Sequence, residues 1–288
     1  MISSKNILVV GGSGFLASHV ADELLENGHK VKIFDQKKSR YLKKKQKFIQ
    51  GNILNKDQIL KATKNIDIIY HFASVADIDM ANKFPLNALN VNIFGTINIL
   101  EACIKNKVKR IIFASSIYAL SEQGGFYSTS KLSSEMIIEQ YSKKYKIEFN
   151  VLRFGSLYGH RSNYFNSLGK YITQAKKNKK IIRYSDGNEK RNYINVLDAA
   201  SLCVKILNKK YRNMYFNLLG NKKIKVKNAL DIIAKEMGIK KVIYKNLLFD
   251  YHYKINPYTY RLRKGKLLKP KKEIDIKQGI KEIIKNLI

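Results

Sequence analysis

At 288 residues and 45% hydrophobic content, the chain is long enough for one large or two modest domains, which excludes wholesale disorder. No apolar run approaches membrane-spanning length, and two cysteines, Cys103 and Cys203, form neither a disulfide framework nor a metal-ligand spacing. The net charge is +33, but all except 9 of the 55 basic residues are lysines spread along the chain, so the charge reads as solvated surface and no specific nucleic-acid partner is expected.

Met1 to Lys5 runs straight into a strand, so no signal peptide is expected and a cytoplasmic, reducing location is. Ile7 to Val10 is an apolar run that stops at Gly11-Gly12-Ser13-Gly14. An amphipathic stretch follows from Phe15 to Glu26, which predicts strand, tight turn, helix. Gly11 lets the chain turn where a side chain would clash. Gly14 lets backbone approach a bound pyrophosphate, and Ala17 is small enough for the helix to pack close on the sheet. The N–H groups at the helix start, from Phe15 and Leu16 onward, then face an anion. A second strand follows, Val31-Lys32-Ile33-Phe34-Asp35, ending in a carboxylate. Asp35 can accept both ribose hydroxyls of NAD and would repel the extra phosphate of NADP.

Further strands are predicted at 47–50, 66–73, 109–115 and 147–153, with helices at about 14–27, 55–64, 85–107 and 127–146. This alternation argues a Rossmann-type, doubly wound α/β fold, a parallel sheet covered on both faces. Its ligand crevice lies at the carboxyl ends of the strands. Gly51-Asn52-Ile53 closes the third strand, where the polar side chain of Asn52 can meet an adenine edge. His71-Phe72-Ala73-Ser74 closes the fourth, and Ala73 and Ser74 are small enough to let a cofactor approach. His71 reads as a packed histidine rather than a catalyst. Ser115-Ser116 closes the fifth strand and Arg153-Phe154-Gly155-Ser156 the sixth.

From about 160 the pattern changes. A helix at 165–178 leads to a strand at 181–184, then a turn and short strand within 187–196. A helix at 197–208 and a strand at 214–218 look like a return to the main sheet. Two amphipathic helices, at 226–237 and 276–287, flank a loop rich in Tyr and Lys. The expected division is residues 1–160 plus about 192–218 for the dinucleotide, and 161–191 plus 219–288 for a smaller, discontinuous α+β substrate domain.

Tyr127 and Lys131 are spaced i, i+4 and share a helix face, which puts an ammonium beside a phenol. Positive charge favours phenolate and is expected to lower the phenol's pKa, so that it can take a proton from a sugar hydroxyl. Chance alone gives about three such pairs in a chain this rich in Tyr and Lys. The sequence holds Tyr41/Lys45, Tyr127/Lys131 and Tyr260/Lys264. Only Tyr127/Lys131 opens an amphipathic helix just after a strand end that carries hydroxyls. There Ser116 can bind the same substrate oxygen.

These motifs together resemble the extended short-chain dehydrogenase/reductases, and among them the NAD-dependent epimerase/dehydratase family acting on nucleotide sugars. The resemblance runs through residues 11–17, Asp35, 71–74, 92–96, 115–116, 127–131, 152–159 and 191–198. It implies a nucleotide-sugar 4-epimerase with NAD as cofactor, Ser116, Tyr127 and Lys131 as the catalytic set, and no metal. By the same resemblance Asn92 sits at the active-site end of its helix and belongs to the cofactor site. Arg191 and Arg261 bind the nucleotide diphosphate, Ser156 stands where a substrate-contacting Asn is usual, and the chain forms a homodimer through helices 85–107 and 127–146. Ser116 lacks the following acidic pair that resembles 4,6-dehydratases. A 4-keto-sugar reductase using the same residues stays open, as does a non-catalytic dinucleotide-binding regulator.

Overall fold

The computed structural model describes residues 3–162, 166–245 and 252–258. The chain begins with β1 (Asn6–Val10), α1 (Phe15–Glu26), β2 (Lys30–Asp35), β3 (Lys47–Gln50), α2 (Lys56–Ala62) and β4 (Ile68–His71). Next come α3 (Ile78–Lys83), α4 (Pro85–Leu89), a π-helical turn (Asn90–Phe94) and α5 (Gly95–Lys105). Then follow β5 (Arg110–Ser116), α6 (Gly125–Tyr145), β6 (Glu148–Phe154), β7 (Ser156–Tyr158), α7 (Ser167–Asn178) and β8 (Ile181–Tyr184). The last described elements are β9 (Lys190–Asn195), α8 (Val196–Lys205), β10 (Met214–Leu218), β11 (Lys223–Lys225), α9 (Val226–Glu236) and β12 (Val242–Lys245).

Seven strands form the central sheet in the order β10-β6-β5-β4-β1-β2-β3, and every neighbouring pair is parallel. The apolar runs are continuous because both faces are covered. Ile7 and Val9 face α1 and α8, with Val20, Leu24, Ala199 and Cys203. Leu8 and Val10 face α2, α5 and α6, with Ile59, Ile99 and Ile138. Fully burying each such side chain contributes roughly 1.5–3 kcal/mol. The strand order reverses between β1 and β4, and the crevice opens there, above the carboxyl ends.

Two smaller sheets lie outside this one. β7, β9 and β11 form a three-stranded sheet, and β8 pairs with β12. The second pair shares a separate core with α7 and α9, built from Tyr171, Ile181, Leu230, Ile233 and Val242. β10 returns to the main sheet beside β6, and Ala199 and Cys203 of α8 pack in the core with α1.

The expected helix at 85–107 is divided. Pro85 starts α4 at its first turn, but the ladder widens to a π-turn at 90–94 before α5 resumes. The widening carries Asn92 inward, where its amide oxygen accepts from the Val75 N–H at 2.7 Å and its amide nitrogen donates to Ser130 Oγ at 2.8 Å. Such bulges persist where a side chain must be held out of helical register. α6 starts at Gly125, two residues ahead of the expected start. α3, β7, β11 and β12 were not expected; none exceeds six residues, too short for a clear period. The helix expected at 276–287 lies outside the described residues.

Candidate active site

A cavity of about 720 Å³ runs along the carboxyl ends of β1, β2, β4 and β5. Its floor is the glycine turn. Gly11 has φ +79°, and a Cβ there would stand 2.5 Å from the backbone nitrogen of Ala73. Gly14 precedes α1 in extended conformation; no side chain caps the helix and no acid occupies its first turn. The open N–H groups at this end, from Phe15 and Leu16 on, therefore favour an anion. Asp35 lines the same cavity. Its Oδ2 accepts from the Ser13 N–H at 3.0 Å and its Oδ1 from the Lys37 N–H at 3.2 Å, so the carboxylate also braces the turn.

Ile53, Phe72, Ala73 and Ser74 line the cavity as expected from their strand ends. Two expected cofactor residues do not. Asn52 is exposed, and its Oδ1 accepts from the Leu54 N–H at 2.9 Å; its neighbours Gly51 and Ile53 form the wall instead. Asn92 is buried behind the wall and holds Val75, which does line the cavity. Phe34 and Lys37 line it too and follow from the strand-end rule. Asn87 and Val91, from α4 and the π-turn, carried no such signal.

Ser116, Tyr127 and Lys131 converge at the far end of the cavity. The Tyr127 hydroxyl is hydrogen-bonded with Ser116. The sequence led us to expect a lowered phenol pKa. Instead, burial pushes Tyr127 up to about 12, with the Ser116 bond working against that rise. Lys131 Nζ donates to the Ala114 carbonyl at 2.9 Å and lies 5.0 Å from the Phe113 ring centroid and 5.9 Å from that of Tyr127. Burial pulls Lys131 itself down to about 8, and the Glu135 carboxylate opposes this.

Beyond Tyr127 the cleft continues into a chamber of about 220 Å³, which shares Ser116, Tyr127 and Gly155 with the first cavity. Ser156, Arg183, Arg191 and His252 line it. Arg191 is buried, lies 4.1 Å over the Tyr253 ring and donates from Nη1 to the Tyr253 carbonyl at 2.6 Å. Arg183 donates from Nη1 to the Tyr171 hydroxyl at 2.9 Å and from Nη2 to Glu189. Tyr118 and His252 meet at 2.8 Å. Sequence reasoning missed Arg183 and His252; a lone Arg on a short strand was the one available sign. Arg261 lies outside the described residues. No carboxylate lines the chamber among the described residues, and none of them form a cluster suited to a metal ion. No described helix is long and apolar enough to cross a membrane.

Residues 7–218 match the model of the NAD dependent epimerase/dehydratase family. The chain belongs to this family. A Methanocaldococcus jannaschii protein whose assignment as a UDP-glucose 4-epimerase is provisional is 31% identical, with 96% of this chain and 97% of that protein covered. The human dTDP-D-glucose 4,6-dehydratase is 26% identical, with 81% of this chain and 73% of that protein covered. Among solved structures, Thermotoga maritima UDP-glucose 4-epimerase with UDP-glucose superposes with a TM-score of 0.80 at 25% identity, covering 87% of this chain and 88% of that one. The family's cofactor is NAD, and the residues present fit it. The glycine cradle has no room for a Cβ, the open start of α1 suits a pyrophosphate, and Asp35 suits a ribose diol.

Proposed function

We propose that this NAD-dependent epimerase/dehydratase family member is a nucleotide-sugar 4-epimerase. One observation carries the reading: Ser116 and Tyr127 stand where the dinucleotide cavity meets a chamber that holds two arginines and, among the described residues, no carboxylate. A pyranose placed there would have its reacting hydroxyl at Ser116 and Tyr127 and its diphosphate toward Arg191. Loss of water from a sugar needs an acid and a base beyond Tyr127. The absence of a carboxylate in the described chamber therefore favours epimerisation over the dehydration named for the human relative.

When bound, NAD supplies reversible hydride transfer at the sugar carbon. The chain's own residues handle the proton and the geometry. Ser116 holds the substrate oxygen and passes its proton toward Tyr127. The Tyr127 oxygen takes that proton and later returns it. Lys131, as a buried cation, favours the phenolate once a substrate oxygen bridges to it, and holds the nicotinamide ribose. Gly11, Gly14 and Asp35 keep the dinucleotide in place, and burial of Tyr127 keeps water from competing.

The part built on α7, α9, β8 and β12 would then be the nucleotide-sugar domain. Homodimerisation through the stretches 85–107 and 127–146 also fits the exposed Phe94 of the π-turn and Met136 of α6, 57% and 59% accessible; light scattering of the purified protein tests it.

Mass spectrometry of cofactor released from purified protein, followed by a screen of UDP-, GDP- and dTDP-sugars for new isomers, tests the function. Co-purifying NAD and an isomer formed without added cofactor are expected. Stoichiometric consumption of added NADH or NADPH, with no isomer formed, would sink the epimerase in favour of a keto-sugar reductase.

A further inference from the structure

Lys131 has a charged neighbour that the catalytic set does not include. Glu135 follows it by one turn of α6, on the same face. Its side chain is only 2% exposed. Oε1 accepts from Ser115 Oγ, and from Arg153 Nε at 3.0 Å. Oε2 accepts from Arg153 Nη2 at 2.5 Å. The carboxylate thus ties α6 to the carboxyl ends of β5 and β6, beside Ser116.

A buried ion pair is a poor device for stability alone. Desolvation offsets most of the attraction, and apolar side chains of similar volume often hold the same elements as well or better. Its position next to a buried ammonium suggests a second use. Groups from α6, β4, β5 and β6 surround Lys131. On α6 they are Tyr127 and Glu135, and β4 brings His71. β5 brings the Ser115 and Ser116 hydroxyls, the Ala114 carbonyl and the Phe113 ring, and β6 brings Arg153. Burial holds His71 neutral, at about 3. The Glu135 carboxylate raises Lys131 against the desolvation that lowers it.

We propose that Glu135 is a positioning residue for catalysis: its carboxylate, clamped by Arg153 and Ser115, keeps the buried ammonium of Lys131 charged at neutral pH. Arg153 is the counterweight. Its guanidinium draws off part of the carboxylate's field and rests 4.9 Å over the Tyr215 ring on β10. The consequence for the reaction rests on Lys131 acting as proposed above; the charge coupling itself does not.

The test titrates Lys131 directly. Competitive acetylation of the full chain with acetic anhydride between pH 6 and 11, with the Lys131 peptide quantified by mass spectrometry, gives its midpoint without any turnover. Glu135→Gln is expected to move that midpoint down by about one pH unit, the size of an adjacent opposite charge. Arg153→Gln breaks the same ion pair from the other side, and is expected to move the midpoint up. A bracing role alone makes the two variants behave alike, so a shared direction, or no shift in Glu135→Gln, overturns the proposal. If Glu135→Gln does not fold, the double variant with Arg153→Gln removes both charges together; its midpoint should lie below that of the parent, and an unmoved one overturns the proposal equally. In turnover, the alkaline limb of kcat/KM should follow the labelling midpoint in each variant. Absence of turnover on every nucleotide sugar would count against the epimerase and leave the labelling result standing.

Discussion

Gly11 and Ala73 are in backbone contact: a Cβ on Gly11 would sit 2.5 Å from the Ala73 nitrogen and 2.7 Å from its Cα. The first glycine of the turn after β1 is thus required by the loop after β4, as well as by any bound phosphate. The Ala73 N–H donates to the Val10 carbonyl at 3.0 Å, so that loop cannot retreat without losing a bond to β1.

Gly11→Ala should therefore weaken both stability and NAD retention. The positive φ and the clash together are expected to cost about 2 kcal/mol or more. Chemical denaturation and cofactor content of the purified variant measure the two effects. Parent-like values for both would show that the turn has slack the geometry does not.

Tyr127→Phe removes the hydroxyl bonded with Ser116 and leaves the ring packed among Ile117, Tyr118 and Tyr253. Turnover is expected to fall by about 10³-fold or more, because the proton has no other acceptor at that point. The melting temperature and NAD content should stay close to those of the parent. Residual activity within tenfold of the parent would remove Tyr127 from the mechanism.

Much of this was legible because a parallel sheet buried on both faces writes itself as apolar runs. Ile7–Val10, Ile68–Tyr70 and Ile111–Ala114 are such runs, and residues just after them line the cavity. Ser116, Tyr127 and Lys131 were separable from two chance Tyr-Lys pairs by their place after β5. What stayed hidden depends on contacts between distant segments or on burial. The π-turn answers to the Val75 backbone and Ser130, neither of them near Asn92 in sequence. Tyr118 and His252 are 134 positions apart. The rise in the Tyr127 pKa comes from desolvation, and neighbouring charges in a sequence do not report it.

Arg191 lines the second chamber and lies 4.1 Å over the Tyr253 ring. Arg191→Ala is expected to raise KM for the nucleotide sugar by about tenfold to a hundredfold, the loss of one charge-assisted contact to a phosphate. NAD content should not change, since Arg191 does not line the dinucleotide cavity. Lysine at this position should rescue only partly, because it cannot reproduce the guanidinium's stacking on Tyr253. A variant with lowered NAD content and unchanged KM would move Arg191 out of the substrate site.

His71 sets a pH limit on stability. It is 1% exposed, its Nε2 lies 2.9 Å from Thr96 Oγ1, and its Nδ1 has no partner. Thr96 Oγ1 already donates to the Asn92 carbonyl at 2.6 Å, so it accepts from His71, and the proton sits on Nε2. A second proton would have to go on Nδ1, inside the core and near Lys131. Burial therefore holds His71 at about 3, against an ordinary 6.5. The sign follows. Below about 6.5 the unfolded chain takes up a proton at His71 that the folded chain refuses, so the folded state is penalised increasingly as pH falls toward 3. Each pH unit in that window costs about 1.4 kcal/mol from this residue. Burial lowers His19 and His29 in the same direction, so the parent alone does not isolate His71. His71→Asn removes the titration, and its stability should fall less steeply between pH 6.5 and 5. Denaturant unfolding at pH 7, 6 and 5 of both proteins measures the difference in slope, and parallel curves would show that His71 is not the group that titrates.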